Sequence, residues 1–417
     1  MTKRKHGLAW VGAACLYACA AGAAEIDFSG YARLGTGTNS QGGQQTCFQL
    51  PGADKAWRLG NECTYQIQAS LTANKVAEFD GAQWGVRVTP RAFHAYEDGE
   101  NSNLYTEFGE VYAFGSPMAG LGGGKVWAGR RFYNGLNLNL TDQDVENNDG
   151  DGAGIEDIPL GAFGKFSVAL ISDPRTAVNR NRIALPLRLT DVATMTKGSL
   201  SVYVTPYRTS SSGKITTGAK PTQASSVSEE QGLSVGVYHQ WKGLVLGGDT
   251  LVGARRDRAV AAYNGGPLNY ENVRGFVQQT VPLPSFKTTL EGLAQWRDQT
   301  DTSANTKSNW VGVGLRSDTQ VKGPYRLLLE LSNDRVRPDG ADARSLTKFT
   351  IAGAISAGAE SGSRPTIRLF YTHANWNEAT RQAYLSAAGY GPDMRVGQVF
   401  GDSLSGASVG VQLDTTW

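Results

Sequence analysis

From residue 25 to the last residue, short segments recur in which apolar and polar side chains alternate, and few folds accept that pattern over such a length. Ile26, Phe28, Gly30 and Ala32 share one face of a segment, while Asp27, Ser29, Tyr31 and Arg33 share the other. Trp84, Val86 and Val88 oppose Arg87, Thr89 and Arg91 in the same way. Further on, Leu290, Ala294 and Trp296 oppose Glu291, Gln295 and Arg297, and Tyr325, Leu327, Leu329 and Leu331 oppose Arg326, Glu330 and Ser332. Successive side chains of a strand point to opposite faces, so each segment has one apolar and one polar face. A soluble sandwich also alternates. Here, however, the polar face repeats charge, as with Arg87 and Arg91, which suits a wet lumen behind a lipid-facing surface. The segments run to about 9–12 residues, the length of a tilted membrane-spanning strand. In hydrocarbon an open sheet edge would leave N–H and C=O groups unpaired, so the sheet must close. The pattern therefore predicts an all-β chain, a transmembrane antiparallel β-barrel occupying residues 25–417 as one domain. About sixteen segments can be counted by pattern, with residues 131–160 and 176–195 ambiguous.

The first 24 residues read as a signal peptide. Lys3, Arg4 and Lys5 precede an apolar stretch from Leu8 to about Ala21, and Gly22, Ala23 and Ala24 offer a cleavage site. No later apolar run approaches the roughly 20 residues of a transmembrane helix. The full chain holds 40 Lys+Arg against 38 Asp+Glu. Three of those cations leave with the leader, so the remainder is near neutral and a nucleic-acid partner is not implied. Cys15 and Cys19 also leave, so Cys47 and Cys63 remain as one disulfide or two free thiols, and export favours the disulfide.

Gly- and Asn-rich stretches at 36–46, 97–104 and 143–154 read as surface loops, and 209–231, rich in Ser, Thr and Gly, as a long extracellular loop. Val409, Val411, Leu413, Thr415 and Trp417 alternate up to a terminal aromatic, which suits the membrane interface at the end of a closing strand. The expected location is the outer membrane of a Gram-negative bacterium, with outer-membrane lipid against the apolar face.

Several ordered motifs resemble one family. Ile26-Asp27-Phe28-Ser29-Gly30-Tyr31-Ala32-Arg33 is similar to the opening strand of maltoporins (sugar porins). Cys47-Phe48-Gln49, followed by Arg58-Leu59-Gly60-Asn61-Glu62-Cys63, is similar to that family's disulfide-closed first loop. Val126-Trp127-Ala128-Gly129-Arg130-Arg131-Phe132-Tyr133, Gly152-Ala153-Gly154-Ile155-Glu156 and Ser363-Arg364-Pro365-Thr366-Ile367-Arg368-Leu369-Phe370 add to the match, which is weak between roughly 175 and 345. The resemblance implies about 18 strands, a homotrimer, and a third loop folded inward to constrict each pore. It also implies a sugar substrate, passed along a line of aromatic rings and a track of ionic residues.

Position by position, Tyr31 matches a slide aromatic, Arg33 and Arg58 match track arginines, and Asp142 matches a track acid on the constricting loop. Gln66 and Gln68 stand where the family has a slide tyrosine and a track glutamate. Alternation puts Tyr65 on the lipid face with Ile67 and Leu71. Thr416 and Gly362 replace slide aromatics, Gly109 and Gly135 replace track arginines, and Asp144 replaces a track tyrosine. These departures predict a wider constriction and weak affinity for long maltodextrins, because stacking on a ring is worth only about 1 kcal/mol. Trp57, beside Arg58, is either a partial substitute or a packing residue.

The functional expectation is passive, partly selective diffusion of sugars, with a general diffusion porin as the alternative. Diffusion needs many weak contacts and no covalent chemistry, so neither cofactor nor metal is expected. An enzyme is disfavoured, since His94, His239 and His373 lie in no nucleophile motif and Gly120-Leu121-Gly122-Gly123-Gly124-Lys125 only loosely resembles a phosphate loop. An adhesive barrel is the remaining reading, and ion conductance separates it from a porin.

Overall fold

The computed structural model describes residues 25–95, 105–173, 180–195, 197–211, 230–258, 270–302, 304–386 and 392–417. The chain runs up and down as β1 (Glu25–Asn39), β2 (Thr64–Phe79), β3 (Ala82–Ala95), β4 (Tyr105–Met118) and β5 (Gly124–Arg131). A short hairpin, β6 (Asn134–Leu138) and β7 (Gln143–Asn147), interrupts before β8 (Gly150–Pro159) and β9 (Lys165–Asp173). Next come β10 (Arg180–Ala184), β11 (Leu187–Met195), β12 (Gly198–Ser211), β13 (Glu230–Val245) and β14 (Gly248–Arg258). The wall continues through β15 (Tyr270–Leu283), β16 (Thr288–Asp301), β17 (Thr306–Lys322), β18 (Tyr325–Pro338), β19 (Arg344–Ser356), β20 (Thr366–Trp376) and β21 (Ser405–Thr416). Pairing of β1 with both β2 and β21 closes the sheet. The sheet has 19 segments, but β10 and β11 both lie between β9 and β12, so they are two halves of one position in an 18-stranded antiparallel barrel.

This locates the strands that pattern counting misses. Pro186, between β10 and β11, has no N–H to give a ladder and breaks that strand in two. Glycine at 150, 152 and 154 removes the side chains whose alternation would have marked β8. The sequence also underestimates strand length, since β17 has 17 residues. Of segment 209–231, residues 209–211 close β12 and 230–231 open β13; residues 212–229 lie outside those described.

β18 is buried and exposed at alternate residues over almost its whole length. The outward set, with Tyr325 57%, Leu329 37% and Leu331 56% exposed, forms the apolar belt. Short turns join strands at one end; Asp80 and Gly81, both at positive φ, make the two-residue turn whose twist matches a hairpin. Longer connections lie at the other end, the extracellular side of such barrels. Trp417 ends outside, its ring 5.8 Å from Phe28 and packed over Gly30, where any Cβ would collide with it.

Two connections turn inward. The first, residues 40–63, is tied by the Cys47–Cys63 disulfide. Its few apolar residues turn to the wall, burying Phe48, Leu50 and Ala53 against Trp310, Val336, Leu346 and Trp376. Leu59 packs on Leu328, Ala352, Ala354 and Phe370. The second is the β6–β7 hairpin. Its Leu138, Leu140 and Val145 cover Tyr203, Tyr238, Leu251, Phe276 and Leu293, the inward residues of β12 to β16. The inward face of the wall is thus apolar where a loop covers it and polar where water reaches it. Helices α1 (Glu378–Ser386) and α2 (Pro392–Phe400) add Tyr384, Val396 and Phe400 to the upper cluster.

An arginine at Leu329, near the centre of the belt, is expected to cost about 2–4 kcal/mol of refolding free energy in lipid vesicles. The same residue placed at Gln68, on the lumen side, is expected to cost much less; urea titration followed by tryptophan fluorescence checks both.

Candidate functional site: a charged constriction

Between the first loop and the hairpin, the lumen narrows to a strip of ion pairs. Arg33, pointing inward from β1, pairs with Glu62 and donates to Thr64 Oγ1 at 2.8 Å. Arg58, on the first loop, pairs with the same Glu62 and donates to Tyr31 Oη at 3.0 Å. The Arg58 amide is bonded to the Leu140 carbonyl, which joins the two inward loops. Asp142, at the hairpin turn, stands 3.6 Å from Arg33 and 3.8 Å from Arg58 and is exposed to the lumen. Gln412 donates to Glu62 Oε2 at 2.8 Å. Asp414 on β21 receives Arg364 at 2.8 Å, Arg368 at 3.2 Å and Arg58 at 3.6 Å.

Beyond this strip lies a cavity of about 290 Å³, lined among others by Arg58, Arg316, Arg326, Glu291, Asn139 and Arg368. Arg316 donates to Glu330 at 2.9 Å, and Arg326 to Asp318 at 2.6 Å. Hydrogen-bonding groups therefore follow one another along the path, with donors and acceptors both present.

Burial disfavours a charged Glu62, but the guanidinium groups of Arg58 and Arg33 outweigh it and hold its carboxyl at about 2. Burial likewise opposes charge on Arg58, and Glu62 with Asp142 overcomes it, raising that pKa. At Asp144 burial dominates and pushes the carboxyl up, with Asp142 adding to it; Asn137 donates to it at 3.1 Å.

The structure brings Tyr31, Arg33, Arg58 and Asp142 together. Gln66 and Gln68 pair in register with Arg33 and Tyr31, and cross-strand partners share a face, so both amides point into the lumen. Thr416 pairs with Tyr31 and is inward too. Tyr65 packs against the disulfide, its ring 4.9 Å from His94.

Two expectations need correcting. The space opposite Gly109 is not open: the Phe132 ring fills it and would meet any Cβ there. Tyr203 lies against Gly135. Aromatic side chains therefore border both glycines, and at Gly109 the ring takes the place a side chain would use. Trp57 is a packing residue, 2% exposed, pressed on Gly314 and donating to Asp334 at 2.8 Å.

Sequence reasoning misses Glu62, Arg364, Arg368 and Asp414 as site residues. Signals for them exist: Glu62 lies four residues after Arg58 in the motif that ends at Cys63, and Arg364 and Arg368 lie in the motif that begins at Ser363. Alternation from Val411 and Leu413 places Asp414 inward.

A closed barrel with an apolar belt and a polar, loop-narrowed lumen defines a porin, a channel of the outer membrane. The chain belongs to the LamB porin family, whose sequence model matches residues 26–417. Family members are channels rather than enzymes. Solved structures share the fold at low identity. Pseudomonas aeruginosa OpdK with vanillate has a TM-score of 0.52 and 9% identity, covering 94% of this chain and 99% of that one. Acinetobacter baumannii OccAB2 has 0.50 and 10%, covering 94% and 98%.

Since the Glu62 pKa is depressed, its pairing stabilises the fold fully above about pH 4.5 and is lost as pH falls through about 2. Glu62→Gln is expected to lower the melting temperature by several degrees at pH 7. The deficit should vanish near pH 2, as circular dichroism melts at both pH values will show.

Proposed function

We propose that the protein carries sugars and similar small hydrophilic solutes by passive diffusion across the outer membrane, as a homotrimer of pores, after removal of residues 1–24. Residues 25–417 form the working domain. The observation that carries this reading is the strip at the constriction. Arg33, Arg58 and Asp142 present donors and acceptors side by side, and Gln66 and Gln68 add amides on the facing strand. A hydroxyl-rich solute exchanges its water there for many weak bonds and can still leave. Trimer assembly is supported by family membership.

One observation favours a weakly selective pore. Tyr31 is the slide aromatic that this chain retains, and its ring is covered by Arg364, with the guanidinium 5.7 Å from the centroid. A sugar stacking there must displace that cation. Each missing ring removes about 1 kcal/mol, so a long maltodextrin gains little over a short one.

Purified protein in planar bilayers is expected to form open channels, with half-block by maltohexaose in the millimolar range or above. Micromolar block would show that the aromatic path is intact by another route, and absence of conductance would remove the porin reading.

A further inference from the structure

The cavity below the constriction shows a solute its cations first. Asp414 serves three guanidinium groups, those of Arg364, Arg368 and Arg58, while Glu62 serves Arg58 and Arg33. Asp142 is a third partner, 3.6 Å from Arg33 and 3.8 Å from Arg58, so four arginines share Asp414 and Glu62 with one open acid. The first two carboxylates are sealed, with side chains 1% exposed at Asp414 and 6% at Glu62. The arginines stand in front of them, with Arg364 30%, Arg58 15% and Arg368 14% exposed. Arg316, at 13%, covers a Glu330 that is at 0%. A guanidinium carries five N–H donors in a fixed fork, far more than one shared carboxylate can accept. The Nε atoms of Arg364 and Arg368 are buried without a hydrogen-bond partner, as is Oδ1 of Asp414.

Two other acids do reach open space. Glu291, 17% exposed, lies on β16 beside Asn139, and Asp142, 47% exposed, lies on the hairpin turn. Glu291 stands 3.7 Å from Arg316, and Asp142 3.6 Å from Arg33, so forked cationic donors and open carboxylate acceptors for hydroxyl groups lie side by side. A neutral sugar uses only the acids, a simple anion uses only the arginines, and a cation meets the arginines unfavourably.

We propose that this cavity is a transit site for acidic sugars, hexuronates and aldonates. Their carboxylate lies on Arg364 and Arg368, and their hydroxyl groups donate to Glu291, all three of which line the cavity. The inference rests on the reading of the lumen as a sugar path and names the class of sugar. Arg364 has a double part: free of ligand it covers the Tyr31 ring, and a bound carboxylate draws it away.

The test is current block and permeation in the intact channel, with glucuronate, glucose and acetate as probes in 0.1 M KCl. Glucuronate is expected to block at about one tenth of the glucose concentration or less, as charge-assisted bonds require. The difference should shrink in 1 M KCl, where charges are screened within about 3 Å. Arg364→Gln is expected to bring glucuronate and glucose within about threefold, with circular dichroism melts verifying that the variant is folded. Equal block by glucuronate and glucose in the unaltered protein overturns the inference while leaving the sugar-porin reading in place. Acetate matching glucuronate overturns it too, because hydroxyl groups then play no part. A channel that conducts ions and passes none of the sugars overturns the sugar-path reading on which the inference rests.

Discussion

The backbone of Leu59 is held inside the barrel by a buried ion pair, and the shape of the pore depends on it. Glu330 accepts the Leu59 N–H at 3.2 Å, while Lys348 donates to its carbonyl at 2.9 Å and Thr350 adds a third bond at 3.0 Å. Lys348 and Glu330 are themselves 2.7 Å apart and almost wholly sealed from solvent. Removing two charges from water costs several kcal/mol, which such a pair offsets only when its remaining hydrogen bonds are also made. Here the loop backbone makes them. The wall needs the loop to satisfy its charges, and the loop needs the wall to satisfy its peptide groups.

That mutual requirement explains why the first connection is a plug and not an external flap. Its apolar residues, Phe48, Leu50, Trp57 and Leu59, find inward apolar partners on the wall, and its polar backbone finds Glu330, Lys348 and Thr372. Asp54 is fixed by Arg297 and Arg274 farther round. Once the loop is seated, Arg58 and Glu62 are presented to Arg33 and Asp414 with no freedom to choose other partners. The hairpin then closes the opposite side by covering Tyr238 and Phe276. The narrow path is what two packed loops leave over, and its charges are the groups that found no apolar cover.

The outward half of the molecule is legible in the sequence because lipid imposes one rule on every strand. Leu327, Leu329 and Leu331 must be apolar, whatever the neighbouring strands do. The inward half obeys no single rule. Tyr238 and Phe276 look misplaced on a lumen face until Leu140 and Val145, more than ninety residues earlier, are seen to cover them. Arg33, Arg58 and Asp142 are recognisable from local motifs. The role of Asp414 is not, because three arginines converge on it only through the register of β20 with β21 and the seating of a loop some 350 residues away. Gly109 misleads for the same reason: a missing side chain looks like empty space in a sequence, and Phe132 fills it in three dimensions.

The most direct test of the central claim is whether Arg58 lies in the conduction path. With Cys47 and Cys63 joined, a cysteine at position 58 would be the one free thiol within residues 25–417. A negatively charged methanethiosulfonate added to single Arg58→Cys channels in a planar bilayer should lower the current in discrete steps, one for each pore modified. Current that stays constant after complete modification, verified by mass, would mean that the first loop does not line the pore, and would contradict a constriction built on Arg58.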